Sequence, residues 1–236
     1  MMTSKIYIII AVIALTLASP ASSPHALKLG PDGLETAPLP YPAQAITAST
    51  QVDLDGDGQP ERLIITSAGQ AEILSGAKMR WQSPPAWQVR QASIADLNQD
   101  GHPEAVLLVW RPFKPWPVDK WLPSGGRINS FHNPDGYSCH LILVGWYQNT
   151  IRERWAGSAL AEPIKAFAAT DISFSGKQVL ISLDGSYDRP IGEPATTLKV
   201  WEWNGFGFTV ISKLDGRFTQ LTTIRNDNGQ ALILTR

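Results

Sequence analysis

Two short acidic loops, each followed by a run of β-forming residues, constrain this chain more than any other feature. The first spans residues 53–61 and precedes Leu63–Thr66, and the second spans 96–104 and precedes Ala105–Val109. Both carry side-chain oxygens at loop positions 1, 3, 5 and 9, and a glycine at position 6 that permits a left-handed turn. Alternating oxygens can converge on one hard cation, and Ca²⁺ takes about six to eight oxygen ligands. The sequence therefore predicts two calcium loops between strands.

The ligands of the two predicted sites follow from their loop positions. An EF-hand would have a bidentate glutamate at position 12, where this chain has Ile64 and Leu107, and a β run follows each loop, so the EF-hand is excluded. At position 7 the backbone carbonyl is the expected ligand, and the side chain points away. The predicted ligand residues are Asp53, Asp55, Asp57, Gln59 and Glu61 in the first loop and Asp96, Asn98, Asp100, His102 and Glu104 in the second.

Both loops resemble the D-x-D-x-D-G-x-x-E motif of the FG-GAP/VCBS repeat family, whose β-propeller blades carry it between two strands. The second loop departs from the motif only in having Asn98 at position 3. The resemblance implies a β-propeller fold with two bound Ca²⁺ ions. The alternative is a pair of turns rich in Asp, Asn and Gly for turn chemistry alone, which would not require a glutamate at position 9 in both loops.

The rest of the chain repeats the same β-rich unit. No window longer than about ten residues keeps a helical period, and units begin near residues 45, 89, 164 and 218. A third loop, 171–179, keeps the frame but has serines in place of the acids and Val179 at position 9. The fourth unit stops two strands short, whereas residues 26–38 resemble 71–84 in their strand–turn–strand pattern. We predict an all-β fold, a small four-bladed propeller whose N- and C-terminal strands share one blade.

The first residues have the pattern of an export signal. Lys5 precedes an apolar run of twelve, Ile6–Leu17, and small residues follow. This predicts a signal peptide over 1–21, with cleavage after Ala21, or alternatively an uncleaved N-terminal anchor. The propeller domain would then occupy 26–236 in an extracytoplasmic location (secreted, periplasmic or cell-surface), where calcium is plentiful.

A long insert, residues 111–137, interrupts the second unit. Its proline and glycine content excludes a regular element, and its five aromatic residues favour an ordered surface loop. Two tryptophans of the insert have two interpretations, because they either cover a blade edge or stack on a sugar ring. The candidate partner-binding residues are Trp116, Trp121, Phe131, His132 and Tyr137.

Composition removes several classes of function. The net charge is −1 without blocks of like charge, so nothing indicates a nucleic-acid partner. The single cysteine, Cys139, excludes an intramolecular disulfide and a cysteine-rich zinc site, and its apolar neighbours predict a buried thiol. Five arginines alternate with apolar neighbours along β runs, which is typical of a solvated strand face: Arg80, Arg90, Arg152, Arg154 and Arg189.

The expected function is a calcium-binding propeller that serves as a binding or scaffolding module for a glycan or protein partner at the cell surface. Two alternatives remain. One is a hydrolase or lyase whose site lies at the insert, although no HExxH or GxSxG motif is present. The other is a structural role in a larger envelope assembly. The candidate acid and base residues of the enzyme are Asp119, His132, Asp135 and His140.

Overall fold

The structure, a computed structural model, describes residues 23–115, 121, 130–190 and 192–236. Over these residues the chain folds into seventeen strands, which form four antiparallel sheets. The sheets are the blades of a small β-propeller, so the predicted fold class and the four-blade count are confirmed. Within the described part of the chain, no helix has the length and apolarity needed to cross a membrane.

Three blades are built from consecutive strands. Blade 1 consists of β4 (Gln51–Val52), β5 (Glu61–Ile65), β6 (Ala71–Ser75) and β7 (Lys78–Gln82). Blade 2 consists of β8 (Gln88–Ala95), β9 (Glu104–Pro112), β10 (Tyr137–Tyr147) and β11 (Thr150–Ala156). Blade 3 consists of β12 (Ile164–Thr170), β13 (Val179–Asp184), β14 (Ala195–Trp203) and β15 (Phe208–Phe218).

Blade 4 joins the two ends of the described chain. Its strands are β1 (His25–Gly30), β2 (Gly33–Ala37), β3 (Gln44–Ala45), β16 (Leu221–Arg225) and β17 (Ala231–Thr235), in the order β2-β1-β17-β16-β3. The register places Ala26 opposite Leu234 and Leu27 opposite Ile233. Pairing β1 with β17 removes two open sheet edges, as the truncated fourth unit predicts.

The boundary between blades 4 and 1 differs from the sequence prediction. The first unit was expected to begin at residue 45, but Ala45 pairs with Ile224 as part of β3. The backbone nitrogen of Ile46 also donates to the carbonyl oxygen of Thr223 at 2.7 Å. This short segment therefore forms a fifth strand of blade 4. Blade 1 begins only at Gln51, because a two-residue strand leaves too little pattern in the sequence to assign it to a sheet.

The core lies between neighbouring blades. Middle strands such as β9 and β13 are covered on both faces by adjacent sheets, which explains the apolar run 105–110 in β9 and the burial of every residue of β13. Aromatic side chains fill the gaps farther out, where Trp155 of blade 2 makes edge contacts at 5.7 Å with Trp203 and 5.3 Å with Phe208 of blade 3. Cys139 is buried as predicted, and burial raises the pKa of its thiol to about 12.

Strand order fixes which loops lie together. The loops β4–β5, β8–β9, β12–β13 and β16–β17 join equivalent strands of the four blades, so they lie on one face of the propeller, here called the loop face. The connection from β9 to β10 contains most of the predicted insert and leaves the far end of β9. That opposite side is called the insert face. The two predicted functional regions of blade 2 therefore lie at opposite ends of one buried strand.

Candidate metal sites and binding cavity

Three loops of the loop face share one backbone frame. They are loop A (53–61), loop B (96–104) and loop C (171–179). In each, the position-1 aspartate accepts a hydrogen bond at Oδ2 from the backbone nitrogen of the position-6 glycine, over 2.8, 3.0 and 2.7 Å. Those glycines, Gly58, Gly101 and Gly176, have φ angles of 84°, 84° and 79°. Turn chemistry thus accounts for the first aspartate in all three loops, including loop C, which lacks the other acids.

The residue at position 9 distinguishes loops A and B from loop C. The residue there begins the second strand of its blade and is buried in each case. Loop C has Val179, which suits an apolar environment, whereas Glu61 is 0% exposed and Glu104 is 1% exposed. One oxygen of each glutamate, Glu61 Oε1 and Glu104 Oε2, is buried without a hydrogen-bond partner. An unpartnered buried carboxylate oxygen is costly, so turn chemistry does not account for these two side chains.

Loop A brings its acids together. Ligand oxygens of Asp53, Asp55 and Glu61 all lie within 4.8 Å of one another. Oxygens bound to a single Ca²⁺ at roughly 2.5 Å cannot be more than about 5 Å apart, so this spacing is compatible with one shared ion. Glu61 Oε2 accepts a hydrogen bond from the backbone nitrogen of Leu54 at 2.9 Å, and this bond holds the Glu61 carboxylate against loop A.

Loop B is arranged differently. The side-chain nitrogen of Asn98 donates to Glu104 Oε1 and lies 3.3 Å from Asp100 Oδ2, so a neutral donor bridges the two acids. Burial, and then the charges of Asp100 and Asp96, raise the pKa of Glu104 to about 8. A cation in loop B would require the oxygen of Asn98, rather than its nitrogen, to face the acids.

Each acidic loop also contacts an arginine from the last strand of its own blade. Arg80 Nη2 lies 2.9 Å from Asp55 Oδ2, and Arg80 Nη1 lies 3.9 Å from Glu61 Oε1. Arg154 Nη2 lies 3.0 Å from Asp100 Oδ2. The prediction of a solvated strand face is therefore wrong for these two arginines. Alternation along a strand predicts which side chains share a face, but it does not indicate that a loop from the same blade folds over that face.

The remaining predicted ligands lie outside the loop A cluster. Asp57 is exposed, and its Oδ1 accepts from the backbone nitrogen of Gln59 at 2.8 Å. In loop B the backbone nitrogen of His102 donates to Asp100 Oδ1 at 2.9 Å, and the His102 side chain is exposed. An exposed side chain at position 7 agrees with a ligand role through the backbone carbonyl alone.

The residues of both loops fit a hard cation in their chemistry. Loop A has four acidic side chains beside one arginine, and loop B has three beside one arginine, so each retains an excess of negative charge even when Glu104 is protonated. A bound Ca²⁺ would neutralise that charge and supply the missing partner of the position-9 glutamate. The fit is closer in loop A, where the acids already converge, than in loop B, where Asn98 separates them.

The candidate partner-binding residues of the insert divide into two groups. Phe131 and Tyr137 are half-buried against the core between blades 2 and 3. The ring of His132 packs on Phe113 with centroids 4.9 Å apart, and Trp121 is exposed. Trp116 and the candidate acid Asp119 lie outside the described residues.

A cavity of about 650 Å³ opens on the insert face, next to the first residues of the insert. Its volume is within the range of small-molecule sites, about 300–1,000 Å³. Sequence reasoning did not find this cavity, because Trp87 comes from the connection before β8 and is distant from the insert in sequence. The side chains important for its chemistry are Trp87, Arg111, Phe113, Lys114, Ser138 and His140.

His140 is the only one of the four enzyme candidates that lines this cavity within the described residues. Its Nδ1 lies 2.9 Å from the carbonyl oxygen of Gly157, and its Nε2 lies 2.7 Å from Ser138 Oγ. Nδ1–H therefore donates to Gly157, and Nε2 accepts from the Ser138 hydroxyl. Burial lowers the pKa of His140 to about 4. A weakly basic imidazole with both nitrogens engaged is typical of a structural histidine.

Comparison with known proteins identifies no family for this chain. No protein-family model and no curated protein matches the sequence. Among solved structures, the chain is similar to one described as BBS1N in complex with ARL6DN, soaked with lead, with a TM-score of 0.44 and 9% sequence identity. The match covers 82% of this chain and 55% of that chain, so this chain spans about half the length of that structure.

Proposed function

We propose that this protein is an exported, calcium-stabilised β-propeller that acts as a binding module, with calcium on the loop face and a ligand on the insert face. The observation that carries the calcium part is the pair of buried glutamates at the same loop position, Glu61 and Glu104, each with one oxygen that lacks a hydrogen-bond partner. Val179 at the equivalent position of loop C indicates that the fold itself does not need an acid there. The calcium-binding FG-GAP/VCBS family, which both loops resemble, supports the same proposal.

Calcium would have a defined role in this proposal. Glu61 begins β5 and Glu104 begins β9, so an ion bound to either would tie a loop to the second strand of its blade. Its charge would also offset the repulsion among the loop carboxylates. Export, which the pattern of the first 21 residues predicts, would place the protein where weak calcium sites are filled. The binding part of the proposal is supported by the cavity on the insert face.

The experiment is a thermal melt of the purified protein in chelator and in increasing calcium, together with titration calorimetry. A ligand that binds only the folded state at a hundredfold excess over its dissociation constant stabilises by about 2.7 kcal/mol per site. For a domain of this size that corresponds to an increase of roughly 5–10 °C in melting temperature per site. We expect a calcium-dependent increase and two binding events.

Matched variants assign that response to the loops. Asp55→Ala and Asp100→Ala should each remove part of the calcium-induced increase, and the double variant nearly all of it, because the loops lie in different blades. Ser175→Ala in loop C is the control and should respond like the unmodified protein. A melting temperature that ignores both chelator and calcium would contradict the calcium part of the proposal.

The hydrolase or lyase alternative receives no comparable support. Its best-placed candidate is His140, whose two ring nitrogens are engaged by Gly157 and Ser138. The Ser138 hydroxyl is itself buried and donates to the imidazole. We therefore favour a binding role for the cavity over a catalytic one.

A further inference from the structure

Arg111 lies near the end of β9 and lines the cavity on the insert face. Its Nη2 lies 3.3 Å from His140 Nδ1, and that same nitrogen lies 2.9 Å from the carbonyl oxygen of Gly157. A carbonyl only accepts, so Nδ1 carries the proton and donates to Gly157. A protonated Nδ1 cannot accept from Arg111. The guanidinium therefore approaches a neighbour that offers it no hydrogen bond.

Within the described part of the chain Arg111 has no salt-bridge partner, and the charge of Glu153 offsets its own only partly, from a longer distance. The salt bridges there involve neither Arg111 nor the neighbouring Lys114. Burial lowers the pKa of Arg111 from its usual value by more than the charge of Glu153 raises it, so on balance its surroundings disfavour the cation. The guanidinium is held over the ring of Trp87, 5.9 Å from its centroid. A partly desolvated cation with donors left over is a cost to the folded protein that an anionic ligand would offset.

The walls of the cavity indicate what kind of molecule bears the anionic group. Trp87 and Phe113 contribute aromatic surface, and Pro112 and Pro115 add rigid apolar surface. Small-molecule sites combine such apolar walls with a few polar groups that fix orientation. A planar guanidinium matches a carboxylate through two parallel hydrogen bonds, whereas an inorganic anion would leave the apolar walls unused.

We propose that this cavity binds a carboxylate carried on a ring, with the carboxylate on Arg111 and Lys114 and the ring against Phe113. This assignment names the ligand class of the binding module and rests on the binding part of the function proposed above. Two sources share this chemistry, an acidic sugar and an aromatic acid. His140 and Ser138 act as supports, because they are hydrogen-bonded to each other and line the cavity beside Arg111.

The test is ligand binding to the full, calcium-saturated protein, measured by saturation-transfer NMR and calorimetry. Galacturonate is compared with galactose, and benzoate with benzyl alcohol, so that each carboxylate has a neutral counterpart. We expect at least one carboxylate to bind tenfold or more tightly than its neutral partner. Preference for galacturonate would identify an acidic sugar, and preference for benzoate an aromatic acid. If neither carboxylate is favoured, or sulfate binds as tightly, the proposal is wrong.

Variants connect that binding to the cavity. Arg111→Gln should weaken carboxylate binding about tenfold or more while leaving the melting temperature unchanged or higher, because it removes a poorly solvated cation. Phe113→Ala should weaken the binding of both the acid and its neutral counterpart. Arg62→Gln is the matched control, since Arg62 is an exposed strand arginine of blade 1. A folded Arg111→Gln protein that binds like the unmodified one would overturn the assignment.

Failure of this proposal is distinguishable from failure of the calcium proposal. Loop B and the cavity adjoin opposite ends of β9, and they are read out by different ligands. If calcium leaves the melting temperature unchanged but a carboxylate binds more tightly than its neutral counterpart, only the calcium proposal is contradicted. If calcium stabilises the protein but acids and their neutral counterparts bind with equal affinity, only the assignment of the cavity is contradicted.

Discussion

Arg80 donates from Nη2 to Asp55 Oδ2 over 2.9 Å, and this ion pair joins the last strand of blade 1 to the loop that precedes its second strand. The side chain of Asp55 is only 6% exposed, so the pair is shielded from solvent. The same guanidinium is 3.9 Å from Glu61 Oε1, the oxygen without a hydrogen-bond partner. Arg80 is therefore the counter-charge of the loop A acids, and calcium would compete with it.

Removing Arg80 should change calcium-free stability and calcium affinity in opposite directions. In chelator, Arg80→Gln leaves the loop A acids without a cation and should lower the melting temperature. In calcium, the same variant should bind more tightly at loop A, because a competing positive charge is gone. Melts with and without calcium, together with calorimetry, measure both effects. Arg62→Gln is the control, and a variant in which both quantities fall together would contradict this competition.

Replacing Glu104 by the residue type found in loop C tests why an acid is present. Glu104→Val should remove the calcium response of loop B. In chelator its melting temperature should equal or exceed that of the unmodified protein, because the buried and unpartnered oxygen is gone. The comparison of the two melts is the measurement. A large loss of stability in chelator would mean that the glutamate serves the fold rather than an ion.

His140 should make the protein sensitive to acid. Its folded-state pKa, about 4, is below the ordinary value of 6.5, so between these values the unfolded chain binds more protons. Stability from this group is complete above pH 6.5 and is lost as pH falls toward 4, by at most roughly 3 kcal/mol. Denaturant melts from pH 7 to 4 measure the loss. His140→Gln should flatten this part of the profile, and an unchanged profile would exclude His140 as its cause.

The strand that closes the ring should be as important to stability as any other core strand. Leu27 on β1 is buried against the core between blades 3 and 4, so Leu27→Ala should cost about 2–5 kcal/mol. Leu39, in the segment after β2, is 48% exposed and belongs to no strand, so Leu39→Ala should cost much less, about 0.5 kcal/mol. Chemical denaturation measures both. Equal, small effects would show that β1 is a dispensable addition to the sheet.

The sequence was sufficient to predict the fold because its signals are local and repeated. Two loop motifs, short β runs and a truncated last unit predict four blades with a shared closure, and the pairing of Ala26 with Leu234 confirms that closure. The exception is β3, where two residues join blade 4 through backbone hydrogen bonds alone. Backbone pairing of so short a segment leaves no side-chain pattern to recognise.

The candidate sites were less predictable because they combine distant parts of the chain. The motif predicts Glu61 as a ligand, but the missing hydrogen-bond partner of its Oε1 becomes visible only when burial is known. Arg80 and Arg154 reach the loops from strands whose pattern indicates only solvent exposure. The cavity likewise depends on Trp87 and Arg111, which come from separate elements and meet only through the packing of blade 2.

The shared blade also has a consequence for how the chain is made. Strand β17 lies between β1 and β16, yet it is the last of the seventeen strands in chain order. Until Ala231–Thr235 leave the ribosome, the hairpin β1–β2 has an unpaired edge and the ring stays open. Chains that stop before these residues cannot form the native blade. The unpaired edge of β1 then stays exposed, which makes such chains prone to aggregation. The ring can therefore close only after its last strand has been synthesised.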